Sequence, residues 1–272
     1  MFAKAFIVAA TFLVEQRSPA HKVPALVVAP KVPAPVTAPG PAPIADPVHI
    51  GPAGMPAAPS VNGPSADELV TKVQSFYQST NRFTAKFRQD YTNKAGFDTP
   101  AKDGKMYVKK PGKMRWDYKG KGIPIVSSYL TDGTNAWLVE YNNHQYGKKK
   151  LSETTDTVAL TFLSGRGDLR KDFTPEIDHT SKYGGKSDYV LKLTPKTPST
   201  QFKTLFLVVD PGNFRVKQSI VLEGNGNVNH FMFYEPDFSK DLPDSLFWVN
   251  EAELKKAGWR QLAKEQPQPE QP

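Results

Sequence analysis

The sequence predicts a mainly β fold with added helices (α+β). It reads as an unclosed antiparallel barrel of ten or eleven strands, with helices lidding its apolar concave face. Three observations predict this. From Phe83 onward, apolar and charged residues alternate with period two in one segment after another. Short turn signals such as Pro111-Gly112, Asp132-Gly133 and Asp210-Pro211-Gly212-Asn213 separate the segments. Strands and helices never alternate as a parallel sheet requires.

The chain of 272 residues divides by composition. Residues 1–20 read as a signal peptide: Lys4 is followed by the apolar run Ala5–Val14, too short to span a bilayer, and then by Ser18-Pro19-Ala20. Residues 21–64 form a Pro/Ala-rich linker, and about half of the 25 prolines lie before Ser65. Such a stretch buries too little to offset its chain entropy. Residues 65–250 form the folded domain, and residues 251–272 a charged helix with a disordered tail. An exported, monomeric, periplasmic protein is expected.

The domain opens with a helix. Ser65 and Glu68 make a capping-box pattern, and Leu69, Val73, Phe76 and Tyr77 share one face. Strands are predicted from Phe83 to Tyr91, Lys105 to Lys110, Met114 to Tyr118, Ile123 to Thr131, Asn135 to Tyr141 and His144 to Leu151. A short apolar helix is predicted over 155–164. Strands resume at Phe173, Tyr189, Thr204, Arg215 and Asn229, with a last one over Leu246–Val249, and a helix covers Glu251–Ala263.

Catalytic parts are missing from the pattern. Without cysteine there is no disulfide, thiolate site or lipobox. His21, His49, His144, His179 and His230 show no metal-ligand spacing. No nucleophile elbow or phosphate loop occurs; Gly224-Asn225-Gly226-Asn227 reads as a hairpin loop, and Arg166-Gly167-Asp168 as a helix end. No enzyme activity, cofactor or metal is expected. The net charge of +8 is spread over many strands. Cations and aromatics fall on opposite strand faces, so a base-stacking platform for nucleic acid is not expected.

What remains is an aromatic inner face. Its candidate lining is Phe83, Ala85 and Phe87, then Met106 and Val108, then Met114, Trp116 and Trp137. Leu160 and Leu163 from the inserted helix, and Leu205, Phe231 and Phe233 from late strands, complete it. A sheet this long with few helices is expected to leave apolar volume unfilled, where acyl chains bind.

Phe83-x-Ala85-x-Phe87-x-Gln89, Val108-Lys109-Lys110-Pro111-Gly112-Lys113-Met114-Arg115-Trp116 and Thr131-Asp132-Gly133-x-x-x-Trp137 follow one another in order. With Leu242-Pro243-Asp244-Ser245-Leu246-Phe247, this series resembles the periplasmic outer-membrane lipoprotein carrier family (LolA-like) over roughly 66–248. The resemblance implies an open barrel with a helical lid. It implies a carrier that takes acylated lipoproteins from an inner-membrane ABC-type release complex and passes them to an outer-membrane acceptor. In the family an arginine before the motif's proline latches the lid; that position is Lys110, which lacks the planar donor fork. Met114 stands where the family has an aromatic residue. Two other readings stay open: a lipid- or lipoprotein-sensing regulator on the same fold, and an envelope hydrolase or polysaccharide-binding domain using a carboxylate pair.

Overall fold

A computed structural model describes residues 63–97, 99–153, 162–165, 167–180, 182–198 and 202–262. The expected signal peptide, nearly all of the expected linker, and Leu160 lie outside the described residues.

Helix α1 (Ala66–Ser79) starts where the sequence marks it. The Glu68 amide donates to Ser65 Oγ (3.3 Å), and the Ser65 amide donates to Glu68 Oε2 (2.8 Å). These bonds satisfy amides that the first turn leaves without partners. Leu69, Val70, Val73 and Tyr77 are buried along one stripe.

Six strands then run as a meander: β1 (Arg82–Thr92), β2 (Lys102–Lys109), β3 (Lys113–Tyr118), β4 (Ser127–Asp132), β5 (Asn135–Glu140) and β6 (Gln145–Lys150). After a 3-10 turn at Phe162–Ser164 and the short helix α2 (Leu169–Asp172), a second meander follows. It comprises β7 (Phe173–Ile177), β8 (Tyr189–Pro195), β9 (Phe202–Val209), β10 (Val216–Glu223) and β11 (Val228–Asp237). Pairing of β1 with β11 joins the two meanders into one sheet that also takes in a short last strand, β12 (Arg260–Gln261), in the order β12-β6-β5-β4-β3-β2-β1-β11-β10-β9-β8-β7. The two ends of that order do not pair, so the barrel is open.

The structure differs from the sequence reading at four places. Among the described residues there are twelve strands rather than ten or eleven. The fourth strand begins at Ser127, not Ile123, because Lys119–Val126 form a loop across the β3–β4 connection, closed by Val126 N donating to Tyr118 O (2.9 Å). Leu246–Val249 is not a strand; Asp244–Phe247 form a 3-10 turn. The last helix, α3 (Glu251–Lys256), is shorter than predicted and ends at Gly258, which has φ +79. The chain then adds β12 (Arg260–Gln261), parallel to β6. Helix formers occupy β12, so only the open edge of β6 makes it a strand.

The main core lies on the concave face, where α1, Phe162, Leu163 and Leu169 pack onto the sheet. A separate cluster on the convex face joins Leu130, Trp137, Val139 and Tyr146 to Val249, Leu254 and Trp259 of the C-terminal segment. Cations tie that segment down. Lys109 and Lys113 each contact the Asp244 carboxylate at 2.7 Å, and Arg115 Nη1 donates to Leu246 O (3.1 Å).

Candidate functional site

Strand register assembles the site row by row. Phe83 stands opposite Val108, Val108 opposite Met114, and Met114 opposite Thr131. In the next row Ala85 faces Met106, and Met106 faces Trp116. Below them Phe87 lies between Gly104 and Phe233, and Gln89 lies opposite Phe231. Since side chains alternate faces along a strand, these rows all project inward.

The rows hold a chain of rings. Phe87 lies edge-on to Trp116 (5.0 Å between centroids) and to Tyr118 (5.1 Å), Trp116 meets Phe231 (5.3 Å), and Phe231 stacks with Phe233 (6.4 Å). Gly104 makes room for Phe87: a Cβ there would lie 2.4 Å from the ring's Cζ. At one edge of the face the lining turns polar. Gln89 Nε2 donates to the buried Asn229 Oδ1 (2.9 Å), and Tyr91 OH donates to the buried Glu223 Oε2 (3.3 Å).

Most of the predicted lining comes together here. Phe83, Ala85, Phe87, Met106, Val108, Met114, Trp116, Leu163, Leu205 and Phe231 all belong to the concave core. Trp137 does not, which corrects the sequence reading. It pairs with Leu130 on the convex face, where Lys148 sits over its ring (5.4 Å) and its Nε1 contacts Glu251 Oε1 (3.5 Å). Both faces of β5 are apolar, Ala136 and Leu138 on one and Trp137 and Val139 on the other. Alternation alone therefore cannot say which faces inward. The Asp132-Gly133 turn sets that parity, with Asp132 Oδ1 accepting from the Thr134 and Asn135 amides (both 2.7 Å).

Among the described residues the mouth of the face is narrow. The crevice at the mouth, between Tyr77, Phe83, Met106, Leu163 and Phe238, encloses about 10 Å³. That is room for about one water molecule. Tyr77, Phe162 and the inner rings pack behind it, with Phe87 and Trp116 at 0% exposure. The sequence reading omitted Tyr118, Tyr129 and Phe162 from the site. It also omitted Phe238, which a β-bulge in the β1–β11 pairing carries across the mouth to Phe83 (5.6 Å).

Lys110 sits at the junction of lid and barrel. Its backbone amide donates to Asn81 O (2.8 Å), and its Nζ donates to the carbonyls of Tyr77 and of Gln78 (2.8 Å to the latter). These carbonyls end α1, whose last turn has no basic residue of its own. A cation is favoured there by the helix dipole. The side chain's methylenes lie against Gly165, where a Cβ would come within 2.8 Å of Lys110 Cε. Gly112 N donates to Ser164 O (3.2 Å), so the β2–β3 turn holds α1 and the 162–165 segment together. Burial holds the Lys110 ammonium below its ordinary pKa.

Among the described residues no group of three His, Asp or Glu side chains could hold a metal ion, and no helix is long and apolar enough to cross a membrane. Residues 78–250 match the family described as "Outer membrane lipoprotein carrier protein LolA".

The chain belongs to the outer-membrane lipoprotein carrier family.

It is 30% identical over 105 residues to an outer-membrane lipoprotein carrier protein of Methylobacillus flagellatus, covering 39% of this chain and 50% of that one. It is 26% identical over 181 residues to the carrier protein of Nitrosospira multiformis, covering 65% and 82%. The matched region thus spans about half the length of the first relative and most of the second. A LolA superfamily protein of Nitrosomonas europaea, NE2245, has a solved structure similar to this one at TM-score 0.40 and 14% identity, covering 70% of this chain and 100% of that one. The Pseudomonas aeruginosa MucA/MucB complex includes a chain similar at TM-score 0.39 and 14% identity, covering 68% and 62%.

Proposed function

We propose that this member of the carrier family shields the acyl chains of lipoproteins in the periplasm and moves them from the inner to the outer membrane. Its partners in this reading are acylated lipoproteins, an inner-membrane ABC-type release complex and an outer-membrane acceptor. The observation that carries the reading is the continuous apolar concave face lying beneath a helix that Lys110 ties at its C-terminal end. One buried methylene contributes about 0.8 kcal/mol, so a long acyl chain gains roughly 10 kcal/mol on full burial. The crevice holds about 10 Å³, so loading requires α1 and the 162–165 segment to move. The cost of that movement lowers the net affinity, which a carrier needs in order to release its cargo.

Depletion of the protein in its source cell tests the proposal. The expected result is accumulation of lipoproteins at the inner membrane, with lipoprotein recovered by mass spectrometry from the purified carrier. Normal sorting after depletion, with no lipid or acylated protein in any preparation, rules the proposal out.

A further inference from the structure

The crevice at the mouth has one charged residue in its lining, Arg215. Its backbone is fixed from both sides. The Arg215 amide donates to Asn213 Oδ1 (3.0 Å), and the next amide, Val216 N, donates to Tyr77 OH (3.2 Å). The second bond pins the start of β10 to α1 across the crevice. The guanidinium lies close enough to act on the Tyr77 phenol, where its charge opposes the upward push of burial on that hydroxyl.

Neighbouring cations are engaged elsewhere. Lys72 lies over the Phe214 ring (4.6 Å), and Lys217 Nζ bonds the Asp188 carboxylate (2.9 Å). Among the described residues Arg215 has no ion pair and no side-chain hydrogen bond. It is partly buried beside Phe233 and Phe238. A guanidinium against apolar surface is less hydrated than one in open water, so an anion placed on it is worth more. Its planar donor fork matches a carboxylate or phosphate.

We propose that the mouth, once α1 and the 162–165 segment move aside, binds a long-chain amphiphile with an anionic head, the chain lying among Phe83, Phe233 and Phe238 and the carboxylate or phosphate resting on Arg215. The inference rests on the acyl-chain reading of the concave face. It adds a charge requirement that this reading lacks, because an acyl chain joined through an ester or amide bond has no free carboxylate. Ionised fatty acids and anionic phospholipids are then ligands in their own right and competitors of the cargo.

The test is equilibrium binding to the full chain of oleate, oleyl phosphate and oleyl alcohol, with acetate and inorganic phosphate as heads without a chain. The two amphiphilic anions are expected to bind more tightly than the alcohol, and the free heads to bind far more weakly. Arg215→Gln is expected to weaken both amphiphilic anions by about tenfold or more while leaving the alcohol unchanged. Arg215→Lys is expected to retain a smaller preference for the anions. Equal binding of all three probes by the unaltered chain overturns the inference without any variant. So does an Arg215→Gln chain that binds all three as before, or that loses the alcohol equally. Failure of every chain-bearing probe to bind the unaltered chain overturns the acyl-chain reading itself, which separates the two failures.

Discussion

Lys110→Leu isolates the tie between lid and barrel. The substitution removes both side-chain hydrogen bonds from Lys110 Nζ, to the carbonyls of Tyr77 and Gln78. It leaves a shorter apolar side chain facing Gly165, without the Cε that comes nearest, and keeps the backbone bond to Asn81. A hydrogen bond from a charged donor contributes about 1.5–3 kcal/mol when buried. Lys110 is only partly buried, so solvent screening reduces the pair to about 1–2 kcal/mol in total. If the bonds hold the lid shut, their loss raises the open fraction about 5- to 30-fold, and apparent affinity for an acyl chain rises by the same factor. Cargo should then load readily and be released poorly. Stopped-flow binding of a fluorescent acyl probe reads the first effect, and a donor-to-acceptor transfer assay reads the second. Hydrogen exchange should show faster opening in the last turn of α1 and in 162–165, with the inner strands unchanged. Unchanged probe affinity and unchanged transfer would refute the latch, whatever the variant does to global stability.

Three further outcomes follow from the packing. Gly104→Ala puts a methyl 2.3 Å from Asp117 O and 2.4 Å from Phe87 Cζ, so denaturant unfolding should show a loss of about 1–3 kcal/mol. Trp137→Ala should cost about 3–5 kcal/mol through the convex cluster while leaving acyl-probe affinity per folded molecule unchanged; a selective loss of probe binding would return this residue to the inner face. Lys109 and Lys113 hold the Asp244 carboxylate down to about 2 from its ordinary 3.8. The sign follows from that depression: the contact is complete above the ordinary value and disappears as the pH falls to about 2. Trp259 fluorescence should therefore report loosening of the C-terminal segment in that window, and Asp244→Asn should remove that step.

The predicted strands up to β11 survive in the structure because their evidence is local. Alternation in Phe83–Tyr91 and Met114–Tyr118 follows from one solvated and one buried face, and the capping box at Ser65 needs only four residues. The final segment was misread for the same reason. Leu246–Val249 carries β-forming residues, and Arg260-Gln261 belongs to a run of helix formers, yet β12 exists because β6 offers an unpaired edge. Trp137 illustrates the limit within a strand, where two apolar faces leave the inward one undetermined.

By itself the sequence determined the open antiparallel sheet, the covering helix, the lack of cysteine chemistry and the inward run from Phe83 to Trp116. Those properties depend on period, composition and short-range caps. Tertiary structure decided which face Trp137 takes, how Phe238 crosses the mouth, and that Lys110 reaches the end of α1. It also decided that, among the described residues, the crevice at the mouth is narrow and has Arg215 as the charged residue of its lining. These features depend on turn parity, a bulge and contacts between residues far apart in the chain, and no local pattern encodes them.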